Sequence, residues 1–348
     1  MVNIDIGIDL GTANTVIYIR DKGIVVNQPS VVAYEGNREK RLIAVGNKAK
    51  KMIGKTPEGI EVCCPIEKGV ISELTLAERM LKVYVKSAIA KRRIWGKPTI
   101  CVSLPSGATE VEKRAVIDAV YRTGAKMVYV LQEPFAAAVG LGIDIDTAFG
   151  YMIVDIGAGT TDIAVVSRGG IETSVSIKAA GQAYDEAIIK YMRKRHNVWL
   201  GPTSAELLKH EIGAVYPRER DAVGYARGKE LVRGLPIKAQ VKSSELMDAT
   251  SEVTDQIIEA IRNVLESTTP EMVADIADFG IILAGGGSKI YGMNRLIEER
   301  IGTKVRTVEN PELLVATGAG LAKAYVRDET EVEEPMLKDS LIAHDFKL

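Results

Sequence analysis

The stretch YMIVDIGAGTTDIAVV, residues 151–166, drives an apolar run into Asp155 and follows it at once with glycines and threonines. Apolar, β-branched residues on both sides predict two strands joined by a turn, which puts the carboxylate at the end of a buried strand. The chain opens on a phrase of the same grammar, IDIGIDLGTANTVIYI at residues 4–19. Aligning Asp9-Leu10-Gly11-Thr12 with Asp155-Ile156-Gly157-Ala158 brings the flanking apolar runs into register. Copies this far apart each head their own unit, so the chain is predicted as two similar α/β lobes facing one another.

The segments around the two copies support that reading. Residues 74–90 carry apolar side chains at helical spacing, KPTICVSLP is a short buried strand, and residues 109–124 form a helix with a capping box at Thr109 and Glu112. KMVYVL is another strand and EPFAAAVGLG another helix. After the second copy come GGIETSVSIKAAG as a further strand, AYDEAIIKYMRKRH as a helix, a short helix with a strand-like stretch over 202–243, and a long amphipathic helix over 244–267. GIILAGGGSKIYGMNRLIEERIG reads as strand, glycine turn and helix, and LLVATGAGLAKAYV as a closing small-residue helix. The acidic residues from 327 onward are expected to be frayed.

At 348 residues with 46% hydrophobic and 26% charged content, the chain is long enough for two cores. A formal net charge of −1 offers no global field for nucleic acid, so no nucleic-acid partner is expected. Three cysteines without CxxC spacing and three scattered histidines argue against a disulfide framework or a structural zinc. Residues 2–10 read as a strand rather than a leader, and no run reaches the ~20 apolar residues of a spanning helix. A reducing cytoplasm is the expected compartment.

A glycine turn between strands brings backbone N–H groups close to an anion. Two such turns from opposed lobes would grip a polyphosphate from both sides. Carboxylates cannot touch phosphate directly, so a divalent cation must stand between them; Mg2+ fits, because it keeps its waters and is held through them. Asp9 and Asp155 are the candidates, with Asp162 as a third. ILAGGGSKI adds a third glycine turn suited to close approach of a base and ribose.

These elements, with QEPFAAAVG and LAGGGS, resemble the nucleotide site of the superfamily that holds actin, heat-shock-chaperone ATPases and sugar kinases. IGIDLGTANTVIY, NQPSVVA, AVGNKAKKMIGKTP, TEVEKRAVIDA, VADIADFGIILAGGG and ENPELLVATGAG resemble the MreB-type bacterial actins over residues 4–326. The resemblance implies an α/β, actin-like fold of two ribonuclease-H-like lobes, each with a smaller inserted subdomain. Its subdomains would be IA (1–31, 75–149 and 320–348), IB (32–74), IIA (150–187 and 244–319) and IIB (188–243). It further implies ATP and Mg2+ in the cleft, weak ATPase activity, homopolymeric filaments of the cell-shape or motility cytoskeleton, and a place at the inner face of the cell membrane, with membrane-bound cell-shape proteins as partners. Carried over by residue, Gly11, Thr12, Ala13 and Asn14 would wrap the phosphates together with Gly157, Ala158, Gly159, Thr160 and Thr161. Gly285, Gly286, Gly287 and Ser288 would hold the adenosine, and Glu206 and Lys209 would touch base or ribose.

The hydrolytic centre departs from the resemblance. Where such proteins commonly read Glu-Glu-Pro, this chain has Gln132-Glu133-Pro134. Glutamine orients a water but cannot take its proton, which predicts slow hydrolysis with Glu133 as base or metal-water ligand and Thr160 as a water-positioning hydroxyl. The plainer alternative is that Glu133 and Pro134 only start a helix.

Two basic stretches remain. AKKMIGKT, residues 49–56, lacks the first glycine of a P-loop and reads as a solvated face or filament contact. AKRRIWGKP, residues 90–98, sets Ile94 and Trp95 among Arg92, Arg93 and two lysines, a composition suited to anionic membrane; Trp95 packed back on its own lobe is the alternative. A monomeric small-molecule kinase is the competing function, and the chain shows no acceptor-site carboxylate for it. A chaperone would need a peptide-binding domain, for which the residues after 330 are too few.

Overall fold

The computed structural model describes residues 4–36, 40–90, 96–322 and 325. Two five-stranded sheets share one strand order. The first runs Met127–Gln132, Thr99–Leu104, Ile6–Leu10, Asn14–Ile19, Gly23–Pro29; the second runs Val305–Thr307, Ile281–Ala284, Tyr151–Ile156, Thr161–Ser167, Gly170–Ile177. In each, the phrase that repeats in the sequence supplies the central strand, antiparallel to the strand after its turn and parallel to the strand on its other side. The duplication is therefore one of topology as well as of sequence.

Strand alternation decides what faces the cleft. Ile6, Ile8 and Leu10 point to the outer core beneath helices Leu74–Ala90 and Glu110–Tyr121, which sends Asp9 the other way. In the second sheet Met152, Val154 and Ile156 pack beneath helix Ser243–Glu266, so Ile153 and Asp155 face the first lobe. Between the sheets lie helices Glu133–Gly140 and Leu314–Leu321, rich in Ala and Gly, which pack with Ile153, Val166 and Ile282 in one buried cluster. Small side chains let these two helices join the lobes at close range.

Two smaller sheets ride on the lobes: Leu42–Val45, Val32–Glu35 and Ile60–Cys63 on the first, and Val198–Trp199, Val223–Glu230 and Pro236–Lys242 on the second. The capping box at Thr109 forms, with Thr109 Oγ1 accepting from Glu112 N–H at 3.3 Å. All three cysteines are free. Among the described residues no helix is long and apolar enough to cross a membrane. Helix Pro270–Phe279 was not anticipated from periodicity, because nearly all of it stays at least partly exposed.

Candidate nucleotide site

Both Asp-bearing turns open on one cavity of about 620 Å³ between the lobes. Its wall includes Asp9, Gly11, Thr12, Ala13 and Asn14 from the first turn and Asp155, Gly157, Ala158, Gly159 and Thr160 from the second. Glu133, Glu206, Lys209, Gly285, Gly286 and Gly287 complete the expected set. Four expected residues lie off the wall, among them Asp162, which is fully buried and accepts from Ser106 N–H. Thr161 alternates to the opposite face and donates to Ala179 O at 2.6 Å. Ser288 closes its own turn by donating to Gly285 O at 2.7 Å. Gln132 is exposed and does not line the cavity. Arg92, Arg93, Ile94 and Trp95 fall outside the described residues.

Two glycines are fixed by close approach. Gly285 has φ +75°, and a Cβ there would strike the Asp155 carboxylate. At Gly159 a Cβ would meet Thr12 Oγ1 and the backbone of Lys68, so the turn of one lobe could not nest against the other. Thr12 Oγ1 also accepts from Gly69 N–H at 2.9 Å, and Lys178 Nζ donates to Lys68 O at 2.8 Å. Residues 68 and 69 thus sit over both glycine turns.

Four carboxylates gather at the cavity floor. Burial pushes Asp9 up to about 7, against a smaller opposing effect of Ser103. Asp155 is raised well above its ordinary value by burial and then by Asp9 and Asp162, and Glu133 by burial and then by Asp162, Asp9 and Asp155. Asp162 is raised by burial, although Ser106 N–H donates to its Oδ1 at 2.7 Å, and its buried Oδ2 has no hydrogen-bond partner. Such an arrangement disfavours the ionised form of each carboxyl. Among the described residues no three His, Cys, Asp or Glu side chains could clasp one ion directly. A hydrated divalent cation, held through its waters, fits this donor set.

The other end of the cavity is built by residues to which the sequence assigned no role. Arg218 stacks on the Tyr291 ring at 3.8 Å, Lys289 pairs with Glu312 at 2.6 Å, and both pairs line the wall with Pro311. Lys209 Nζ bonds Asp185 at 2.8 Å and Gly181 O at 2.8 Å, which fixes it at the rim. Burial raises Asp185 to about 6, partly opposed by Lys209. Lys50, read from sequence as a solvated face or filament contact, spans the cleft to Glu206 at 3.0 Å.

Like-ordered sheets meeting over a shared cleft lined by two Asp-bearing glycine turns define an actin-like fold, and solved structures superimpose on it. MreB5 of Spiroplasma citri bound to ADP matches with a TM-score of 0.86 at 33% identity, covering 92% of this chain and 95% of that one. The MamK double helical filament matches at 0.78 and 27% identity, covering 90% and 97%. The MreB/Mbl protein model matches residues 3–331. The cell shape-determining protein Mbl of Bacillus cereus is 43% identical over 317 residues, 91% of this chain and 95% of its own length. The cell shape-determining protein MreB of Escherichia coli is 40% identical over 325 residues, 92% and 94% respectively. The chain belongs to the MreB/Mbl family.

Proposed function

We propose that this chain is an ATP-binding, filament-forming bacterial actin of the cell-shape or motility cytoskeleton, working at the inner face of the cell membrane and hydrolysing ATP slowly. The observation that carries it is the convergence of two duplicated Asp-bearing glycine turns on one cleft lined by Asp9, Glu133 and Asp155, with Asp162 buried behind them. Relatives described as cell shape-determining, and neighbours described as ADP-bound or as a filament, support the same reading over a small-molecule kinase.

In this reading the turn amides at residues 11–14 and 158–160 bind phosphate oxygens, and Asp9, Asp155 and Asp162 hold a magnesium ion through its waters. The ion, when bound, neutralises charge between phosphates and carboxylates. Glu133, pushed up by burial and its neighbours, can accept a proton at its carboxylate oxygen, and Thr160 can orient the attacking water. Gln132 carries no base and lies off the cavity wall, so proton removal in this reading rests on Glu133, which keeps the step slow. Calorimetric titration with ATP, with and without magnesium, tests the site; affinity independent of magnesium would overturn the assignment of the carboxylates. In a Trp199→Phe background Trp95 is the sole tryptophan. Its emission should shift to the blue on anionic vesicles, and an unshifted spectrum would remove residues 92–95 from the membrane contact.

A further inference from the structure

Residues 188–243 carry twelve Lys and Arg against five Asp and Glu, a net +7 in a chain whose formal net charge is −1. The three-stranded sheet in this segment buries one face: Ala226 and Val241 pack on helices Gly181–His196 and Pro202–Ile212. The opposite face is exposed, and alternation sends Tyr225, Arg227, Lys229, Lys238 and Lys242 to it, with Trp199 at its edge. Strand pairing sets Arg227 directly opposite Lys238 and Trp199 opposite Lys229. No strand residue on that side is a carboxylate. The nearby Asp221 is engaged by Ser243 and Ser244. Like charges placed opposite one another destabilise a sheet, a cost that the contact of Lys238 with the Tyr225 ring at 4.0 Å offsets only in part.

Beside Trp199, the loop joining the two long strands projects aliphatic side chains into water. Val232 is 80% exposed, Leu235 55% and Trp199 59%. Leu231 N–H donates to Asn197 O at 2.9 Å, which ties this loop to the strand that carries Trp199. Cations on a flat face, an indole at its edge and aliphatics at one end match the layers of an anionic bilayer: phosphate, interface and acyl boundary. A nucleic-acid platform would use stacked aromatics and has no place for Val232 and Leu235.

We propose that this sheet face is a lipid-docking surface, with its cations on anionic headgroups, Trp199 at headgroup level and Val232 and Leu235 at the acyl boundary. It adds a second contact to the membrane association proposed above and rests on that reading only in the choice of partner. The chain has two tryptophans, Trp95 and Trp199, so the failures separate: Trp95→Phe leaves Trp199 to report on the sheet face, and Trp199→Phe leaves Trp95 to report on residues 92–95.

The test uses the full chain without nucleotide, at a concentration that does not pellet alone, mixed with vesicles of phosphatidylcholine with or without phosphatidylglycerol. In the Trp95→Phe protein, Trp199 emission should shift to the blue only with phosphatidylglycerol, and high salt should reverse the shift. Arg227→Gln with Lys238→Gln should weaken partitioning about 25-fold, taking about fivefold for each cation near the surface. Val232→Ser with Leu235→Ser should reduce the shift while leaving melting temperature and ATP affinity unchanged. The proposal falls if Trp199 stays unshifted on vesicles that bind the protein, or if the cation variant partitions like the parent. It also falls if these variants keep lipid affinity but lose lipid-free self-association, which assigns the face to a second copy. A single-stranded oligonucleotide that shifts Trp199 below the effective vesicle concentration overturns it as well.

Discussion

Replacing Asp9 by Asn should make the nucleotide-free, magnesium-free protein more stable while weakening its nucleotide binding. Burial moves the Asp9 carboxyl from 3.8 to about 7. At ~1.4 kcal/mol per pKa unit that displacement corresponds to about 4 kcal/mol, and water in an open cleft screens roughly half of it, leaving about 2 kcal/mol. The native carboxyl keeps its proton at pH values where the unfolded chain has released it. The native state then binds more protons, and stability falls as pH rises from about 4 to about 7. Asparagine removes that fall, so the gain is present at pH 8 and shrinks toward zero near pH 4. With unfolding entropy of ~2.1 cal/mol/K per residue, about 2 kcal/mol raises the melting temperature by about 3 °C in a chain of this size. Thermal denaturation in EDTA across that pH range reads the stability. Titration calorimetry reads the cost, expected at ~10- to 100-fold weaker binding of ATP with magnesium, as for other groups that act on a metal through an intermediary. A variant that is less stable at pH 8, or equally stabilised at every pH, refutes the argument that burial at the cavity floor disfavours the ionised Asp9 carboxyl.

Three further outcomes follow from the same geometry. Glu133→Gln should cut single-turnover ATP hydrolysis by ~100-fold or more with ATP affinity within threefold; unchanged turnover would place the base elsewhere. Gly159→Ala should weaken ATP binding at least ~10-fold and lower the melting temperature, because its Cβ meets Thr12 and Lys68; wild-type behaviour would show that the two turns do not nest as described. Lys50→Ala should speed nucleotide release only ~two- to fivefold, since the pair with Glu206 is partly exposed, and the effect should vanish in high salt.

What the sequence made legible was local. Asp9 and Asp155 could be read because the strand, turn and strand that aim them are contiguous, and the register of alternation is set within a few residues. Thr161 and Ser288 were placed in the phosphate and adenosine sets by their position in the motifs. Alternation turned Thr161 to the opposite face, and Ser288 is spent on its own turn. The Arg218–Tyr291 stack and the Lys289–Glu312 pair were invisible because each joins separate segments, although PELL after the third glycine turn offered a faint signal. Lys50 resembled any solvated lysine until the fold brought Glu206, 156 positions away, to within 3.0 Å. Charge clustering over 188–243 was present in the sequence, but its meaning depends on which strand face is left uncovered, and that is a property of packing.

The central claim is that nucleotide in this cleft drives assembly of the chain with itself. Sedimentation of the purified full-length protein with magnesium and ATP, with ADP, or without nucleotide, followed by negative-stain imaging of the pellets, tests it most directly. Filaments that appear with ATP and are lost in Asp155→Asn are the predicted result. A protein that binds ATP tightly yet stays monomeric at every concentration would contradict the account.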